Sequence, residues 1–302
     1  MSTHVLKVIP EHKDLRLDVY VTQSLPEIVP SRSFVKKLIE NGHVRVNEGI
    51  AKAHTPMVVG DVVAIDIPAN FQMPNYIEAE DIPLNIFYED DYLLIINKVS
   101  GMIVHPAAGR FQGTLVNALK FLSVDLSDVN SEIRPGIIHR LDEETSGLLV
   151  VGKDNITHTK LAKQFQRHEI FKKYIALVEG EMEFEEGIVD VPIGRHPRHR
   201  DKMDVRFDDA AKESLTKYKV LKRSRGVTLV ALYPKTGRTH QLRVHMRYLK
   251  HPILGDAKYG RRQTFPRLAL HAQALGFKHP HLWQWIEFSC RPPQEFLDKV
   301  KA

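Results

Sequence analysis

The chain has 302 residues, 43% of them apolar, with 43 lysines and arginines against 37 acidic residues and a formal charge of +6. This composition is typical of a globular protein of about two domains and excludes a disordered or fibrous chain. Its apolar runs are far shorter than the ~18 residues that cross a bilayer, residues 1–14 lack the apolar segment of a secretory signal, and Cys290 has no partner for an internal disulfide. We therefore expect a cytoplasmic protein without a membrane partner, and we expect a monomer.

The positive charge is concentrated in one part of the chain. Residues 191–267 hold 20 lysines and arginines but only 6 acidic residues, whereas residues 1–75 hold 8 of each. A segment with such an excess repels itself unless it is solvated or faces a polyanion, such as the phosphate backbone of a nucleic acid. The charge by itself is also compatible with a solvated basic face. A nucleic acid is thus a candidate partner.

Residues 16–68 predict a small α+β unit in the order helix, helix, strand, strand. A short first helix, ended by Pro26, is indicated by the spacing of Leu17, Tyr20 and Val21. Ser31 is a candidate N-cap for a second helix. The apolar stripe of that helix consists of Phe34, Val35, Leu38 and Ile39. Residues 43–47 and 61–67 alternate with the period of strands.

Residues 69–75 have the proline and asparagine content of a linker, so we place a boundary near residue 75 and a second domain over residues 76–302. The patterns that follow predict a hairpin of strands at 84–88 and 92–97, a helix at 157–168, and strands at 174–178, 216–221, 228–233 and 268–274. Strands outnumber helices and do not alternate regularly with them, which favours a mixed, mainly antiparallel sheet over a doubly wound one. The predicted fold class is α+β.

A polar loop between two apolar runs, within residues 137–151, carries Asp142. An aspartate held in such a loop on a rigid sheet is well placed to act on a ligand. An aspartate followed by Thr-Ser-Gly is also typical of a turn or cap residue that bonds the local backbone. The loop therefore leaves both readings open.

Three segments resemble, in order, the motifs of the RluA family of RNA pseudouridine synthases. Residues 139–148 resemble its His-Arg-Leu-Asp-x-x-Thr-Ser-Gly-Leu motif, residues 171–180 its second element with a tyrosine, and residues 235–245 its Thr-Gly-Arg-Thr-His-Gln-x-Arg signature. Shorter likenesses, such as residues 255–260, extend the match over about residues 80–290. Residues 16–68 resemble the small RNA-binding domain first described in ribosomal protein S4. One departure is Val99, where many members carry proline.

The resemblance implies three catalytic residues. Asp142 would be the nucleophile or base, and Arg243 would keep it ionised in a closed site through a bidentate pair. Tyr174 would stack on the target base and help to move the C5 proton. Without the resemblance, Arg243 can also be interpreted as a phosphate-binding arginine in a basic segment, and a tyrosine such as Tyr174 in a strand is more often a core residue.

The resemblance also implies substrate-binding residues. Arg140 matches a family arginine that enters the RNA and holds the target nucleotide out of its stack, although by itself it is an ordinary surface arginine. The other candidates in the two outer motifs are His139, Arg238, His240 and Gln241. In the S4-like unit, which by pattern alone is only a packed subdomain, the candidates for gripping phosphates are Arg32, Lys36 and Arg45.

We expect no cofactor and no metal, because the isomerisation changes no oxidation state and the 16 histidines form no His-Glu-x-x-His or cysteine-bearing cluster. The predicted function is isomerisation of specific uridines in structured RNA to pseudouridine. Family members with an S4-like domain often act on large-subunit ribosomal RNA. We therefore expect ribosomal RNA, or a pre-ribosomal particle, as the partner, with transfer RNA as the second candidate. The rivals are a non-catalytic RNA-binding or ribosome-assembly factor and a base-releasing glycosidase, which would normally use a second acid.

Overall fold

The computed structural model describes residues 2–26, 28–29, 32–68, 78–105, 112–122, 126–127, 135–199 and 201–301. The chain divides into two compact units, Met1–Tyr76 and Ile77–Ala302. The linker predicted over residues 69–75 and the N-cap predicted at Ser31 lie outside the described residues.

The first unit is an α+β sandwich of two helices and a small sheet. Its elements are β1 (Ser2–Lys7), α1 (Leu17–Ser24), α2 (Arg32–Glu40), β2 (Val44–Val46), β3 (Gly49–Ile50) and β4 (Val62–Ile67), with a 3₁₀ turn at Pro10–His12. Within the described residues the strand order is β1-β4-β2-β3, and every pair is antiparallel. The two predicted helices and two predicted strands are confirmed. Strands β1 and β3 escaped prediction because β1 mixes polar and apolar residues and β3 has only two residues.

The helices of this unit pack through the predicted stripe. Phe34, Val35, Leu38 and Ile39 are all buried in a core that also contains Leu17 and Tyr20. Burial of this stripe leaves the opposite side of α2, with its basic residues, in water.

The second unit is built on a large sheet. Its elements are β5 (Ile86–Glu89), β6 (Leu93–Lys98), α3 (Leu115–Phe121), β7 (Ser146–Gly152), α4 (Asn155–Gln166), β8 (Phe171–Glu179), β9 (Glu186–Asp190), β10 (Ile193–Arg195), β11 (Met203–Val205), β12 (Leu215–Ser224), β13 (Val227–Pro234), α5 (Gln241–Tyr248), β14 (Leu270–Lys278), β15 (Trp285–Ser289) and α6 (Gln294–Lys299). A 3₁₀ turn spans Arg262–Thr264.

Within the described residues the large sheet has nine strands, in the order β5-β6-β7-β14-β8-β13-β12-β9, with β15 paired to β14. Among the strand pairs that the structure describes, only β7–β14 is parallel, so the predicted mixed, mainly antiparallel sheet is confirmed. Helix α4 begins at Asn155, two residues before the predicted start. The Asp154 carboxylate accepts hydrogen bonds from the backbone N–H groups of Ile156 and Thr157, both at 2.8 Å, and so caps the helix earlier.

Strands β6 and β7 are buried on both faces. On one face Leu93, Ile95, Leu148 and Val150 pack with Leu161 of α4. On the other face Leu94, Ile96, Leu149 and Val151 pack with Leu115 and Leu119 of α3. Covering both faces explains why these strands read as continuous apolar runs rather than alternating ones. The loop that carries Asp142 leads directly into this rigid centre of the sheet.

The start of β7 requires glycine. Gly147 has φ +113°, which L side chains rarely adopt, and it lies opposite Ala272 where β7 and β14 pair in parallel. A Cβ built on Gly147 would lie 2.2 Å from the carbonyl oxygen of Ala272 and 2.6 Å from its nitrogen. Both atoms are backbone, so the two strands would have to separate.

We therefore expect Gly147→Ala to lower the free energy of unfolding by more than about 4 kcal/mol or to prevent folding. The matched control is Gly237→Ala, because a Cβ at Gly237 meets nothing within 4 Å and its φ is not positive. Denaturant unfolding of both variants is the measurement. A Gly147→Ala protein as stable as Gly237→Ala would contradict the close approach of the strands.

Candidate active site

One cavity of about 590 Å³ in the second unit is lined by all eight site residues predicted for that unit. They are His139, Arg140, Asp142, Tyr174, Arg238, His240, Gln241 and Arg243. They come from the loop before β7, from β8, and from the segment that enters α5. Three motifs that are far apart in the sequence thus share one site.

The Asp142 loop is fastened to the turn after β6 by a buried lysine. The ammonium of Lys98 donates hydrogen bonds to the backbone carbonyls of Val99, Met102 and Glu143, at 2.9, 2.9 and 3.0 Å. The Ser100 hydroxyl donates a further bond, at 2.6 Å, to the carbonyl of Glu144. The backbone on the C-terminal side of Asp142 is therefore held at two successive residues.

Lys98 also brings a positive charge beneath this loop. Burial lowers the pKa of Lys98 to about 8, although the charges of Asp142 and Glu143 oppose the shift. At neutral pH most of the lysine is still protonated, so it can donate to three carbonyls at once.

Arg243 joins two carboxylates, and the bidentate one is not the predicted one. Its Nε and Nη2 donate to the two oxygens of Asp256, both at 2.7 Å, whereas Nη1 reaches Asp142 Oδ2 at 3.4 Å. The sequence-based interpretation, a bidentate pair between Arg243 and Asp142, is wrong. Asp256 forms the bidentate pair because its carboxylate is completely buried and needs a closely paired cation. The Asp142 side chain is 22% exposed to the cavity and needs one less. Asp142 is bonded by the remaining nitrogen, Nη1.

Asp256 is itself fixed by its own turn. Its Oδ1 also accepts hydrogen bonds from the backbone N–H groups of Lys258 and Tyr259, at 2.9 and 3.0 Å. Burial disfavours the charge on Arg243, but the hydrogen bonds and charge of Asp256, followed by those of Asp142, hold the pKa of Arg243 above its ordinary value. The guanidinium is thus a permanent cation, oriented from behind toward Asp142.

Tyr174 lies on β8, opposite Leu232 of β13 and Ala272 of β14. It is half-buried and packs against the two core clusters that meet at the cavity. Burial, and then the negative charge of Asp142, raise the pKa of Tyr174 above its ordinary value. Its hydroxyl therefore stays protonated at neutral pH.

Two of the predicted binding residues are occupied inside the protein. His139 Nε2 accepts a hydrogen bond from the Val150 backbone at 3.1 Å, the ring stacks on Phe165, and burial lowers the pKa of His139 to about 3. The Gln241 amide uses both its oxygen and its nitrogen twice. Its partners are the hydroxyls of Thr236 and Thr216, the N–H of Arg238 and the carbonyl of Leu215. The Gln241 side chain thus acts as a positioning group and has no hydrogen bond left for RNA.

The other three predicted residues of this unit keep groups available at the cavity. Arg140 is exposed, with Nη1 3.4 Å from His105 Nε2. Arg238 is partly buried, and its Nε donates a hydrogen bond to the backbone carbonyl of Glu213 at 3.0 Å. His240 precedes α5 in a left-handed conformation, and its Nδ1 lies 2.8 Å from the Tyr259 hydroxyl.

In the first unit, Arg32, Lys36 and Arg45 each lie within 4 Å of an acidic residue. The distances to Asp18, Glu40 and Asp66 are 2.8, 3.7 and 2.8 Å. All three basic side chains are at least half exposed. The Lys36–Glu40 pair is exposed on both sides, so it contributes less than about 1 kcal/mol and can be exchanged for a phosphate contact at little cost. Asp18 and Asp66 are only 7% and 16% exposed, so their pairs are not of this exposed kind.

Three residues with clear roles at the site were missed by sequence reasoning. They are Lys98, Lys172 and Asp256. Lys172 could have been found, because it precedes Tyr174 by two residues on a strand and so faces the same side. Lys98 and Asp256 lie within the residues that resemble the family, but no local pattern predicts their partners, which are backbone carbonyls and an arginine brought together only by the fold.

The described residues contain no group of three or more histidine, cysteine or acidic side chains that could hold a metal ion. No helix in the described part of the chain has the length and apolar character needed to span a bilayer.

Comparison with known families gives two matches. Residues 92–248 match the family model of RNA pseudouridylate synthases, and residues 15–63 match that of the S4 domain. The first match covers the Asp142 loop, β8 and the whole of α5.

Relatives match over nearly the full chain. The Bacillus subtilis (strain 168) protein named uncharacterized RNA pseudouridine synthase YlyB is 40% identical over 293 residues, which are 96% of this chain and 95% of that protein. Ribosomal large subunit pseudouridine synthase D of Zymomonas mobilis is 38% identical over 98% of this chain and 96% of that protein. Among solved structures, human RNA pseudouridylate synthase domain containing 1 matches with a TM-score of 0.59 and 28% identity, covering 76% of this chain and 89% of that chain.

The shared guanidinium predicts a role for Asp256 in both stability and rate. Asp256→Asn leaves the buried Arg243 without its bidentate anion, so we expect the free energy of unfolding to fall by about 3–5 kcal/mol. Because the guanidinium then loses its orientation toward Asp142, the single-turnover rate on substrate RNA should fall by about 10–100-fold with little change in RNA affinity.

Asp201→Asn is the control, since Asp201 forms an exposed pair with Lys258 at 3.4 Å and should cost less than about 1 kcal/mol. Equal stability and rate in the two variants would show that Asp256 does not support the site.

Proposed function

The chain belongs to the RNA pseudouridylate synthase family, and we propose that it converts specific uridines of large-subunit ribosomal RNA to pseudouridine, with Asp142 as the reacting carboxylate. The observation that carries the proposal is the Asp142 carboxylate at the cavity, with Arg243 on one side and Tyr174 lining the same space. Support for the RNA comes from the S4 match and from relatives named ribosomal large subunit pseudouridine synthase D.

The reaction breaks the N1–C1′ bond of uridine, turns the uracil while it stays bound, and forms a C5–C1′ bond, after which the C5 proton leaves to a base. No oxidation state changes and no external group is transferred, so the reaction needs no cofactor. Asp142 acts either as nucleophile, at C1′ or at C6, or as the base that opens a glycal route. In each case the carboxylate must be ionised, and Arg243 and Lys98 supply the two nearby cations.

We assign Tyr174 the role of a platform for the target base. An aromatic ring on a strand that lines the cavity provides a stacking surface for a uracil. Its hydroxyl, with its raised pKa, is a neutral phenol, so it transfers the C5 proton only as a relay through its own O–H. The general base for that proton is then Asp142 once it has been released.

The arginines at the cavity and in the S4-like unit are proposed to bind the RNA strand. Arg140, next but one to Asp142, holds the target nucleotide out of its stack, and Arg238 and His240 bind at the same cavity. In the S4-like unit, Arg32, Lys36 and Arg45 exchange their acidic partners for phosphates. We further propose that the protein acts as a monomer in the cytoplasm, on ribosomal RNA or a pre-ribosomal particle.

The test is release of tritium from RNA labelled at C5 of uridine, because isomerisation removes that hydrogen, whereas RNA binding alone and cleavage of the base by a glycosidase do not. We expect release from unmodified large-subunit ribosomal RNA and none with Asp142→Asn, which keeps the shape of the side chain but is neither a nucleophile nor a base. RNA binding and thermal unfolding of Asp142→Asn should match the wild type.

Two further measurements discriminate between the alternatives: tritium release from transfer RNA, and detection of free uracil among the products. Release from transfer RNA alone would replace the proposed substrate, and free uracil in place of pseudouridine would indicate a glycosidase. Turnover near the wild-type rate in Asp142→Asn would contradict the role of that carboxylate.

A further inference from the structure

The cavity extends beyond the groups that the proposed chemistry uses. It is also lined by Phe165, His168, Lys172 and Arg238, and Lys172 bonds the backbone carbonyl of Thr236. Asp142 and Arg243 line the same cavity, so one bound RNA segment can contact both groups of residues.

Lys172 is held beside the target site by the sheet. It precedes Tyr174 by two residues on β8, so both side chains point to the same face, about 6.6 Å apart along the strand. The Lys172 ammonium donates one hydrogen bond, at 3.2 Å, to the carbonyl of Thr236. Two of its three N–H groups are therefore available to a ligand in the cavity.

The charge of Lys172 has no carboxylate to balance it. Among the described residues no acidic side chain forms an ion pair with it; burial and the charge of Lys235 lower the pKa of Lys172 to about 8. In turn, the charge of Lys172 contributes, after burial, to lowering the pKa of His168. Arg238 adds a further cation, since its Nε bonds a backbone carbonyl and not a carboxylate. A half-buried cation without an anionic partner is unfavourable, and an anion in the cavity would reduce that cost.

We propose that Lys172, with Arg238 and His168, forms a phosphate subsite that binds a backbone phosphodiester next to the target uridine. The inference rests on the proposed function, because it assumes that a uridine lies between Asp142 and Tyr174. From that position the RNA backbone next to the uridine passes Lys172, which lies two residues from Tyr174 on the same strand. An RNA phosphodiester is the anion that a substrate strand brings to this point, and lysine binds it as a point charge.

The experiment compares the full chain with three variants, Lys172→Met, Lys172→Arg and Lys173→Met. Lys173 is the matched control, because it is the next residue of the same strand and does not line the cavity. The probe is an unmodified transcript of large-subunit ribosomal RNA from which the wild type releases tritium. Affinity is measured over a series of salt concentrations, and phosphate contacts are mapped by ethylation interference on a fragment that contains the modified uridine.

We expect Lys172→Met to bind about tenfold more weakly and to reduce the slope of log K against log salt by about 0.7. Lys172→Arg should restore the slope, and Lys173→Met should resemble the wild type. Ethylation of a phosphate next to the modified uridine should interfere with the wild type and with Lys173→Met, but no longer with Lys172→Met.

Unchanged affinity and slope in Lys172→Met would overturn the subsite. So would the absence of interference at the phosphates flanking the uridine in the wild type, a result that does not depend on any variant folding. If the wild type releases no tritium from any RNA, the proposed function fails. If it releases tritium and the phosphate tests are negative, only the subsite fails.

Discussion

The active site depends on one guanidinium shared by two carboxylates. Asp256, fully buried, accepts two hydrogen bonds from Nε and Nη2 of Arg243, both at 2.7 Å, and Asp142 accepts one from the remaining nitrogen, Nη1, at 3.4 Å. A buried arginine needs at least one close anion to be stable, and the structural carboxylate supplies it. Asp256 supplies this anion on the side of Arg243 away from the cavity. Asp142 can therefore stay partly exposed to the cavity and still lie beside a fixed positive charge.

The surroundings hold both partners in place. The loop of Asp142 is bound at its back by Lys98, and its exit is fixed by the close approach of Gly147 to Ala272. Arg243 starts from the first turn of α5, whose entry is held by the four hydrogen bonds of Gln241. The geometry of the site is thus set by rigid elements, as preorganised electrostatic stabilisation requires.

The sequence predicts the features of this site and fold that follow from a local residue pattern. The apolar periods of α2 and of the large sheet, and the three motifs around Asp142, Tyr174 and Arg243, identify the fold class and the cavity. It does not predict which side chains the folded chain brings into contact. Asp256 follows Arg243 by 13 residues in an irregular segment, so no period links them, and the bidentate bond was assigned to the wrong aspartate. Lys98 binds three backbone carbonyls, and because every residue type has one, the sequence does not indicate which residues are its partners.

The central claim is tested most directly by a double-mutant cycle between Arg243 and Asp256. Single-turnover rates at saturating RNA are measured for the wild type, Arg243→Lys, Asp256→Asn and the double variant, at a temperature where all four are folded. If Asp256 acts only by orienting the guanidinium toward Asp142, the double variant is hardly slower than the slower single variant. If the two losses multiply, Arg243 and Asp256 act independently, and the account of a shared guanidinium is contradicted.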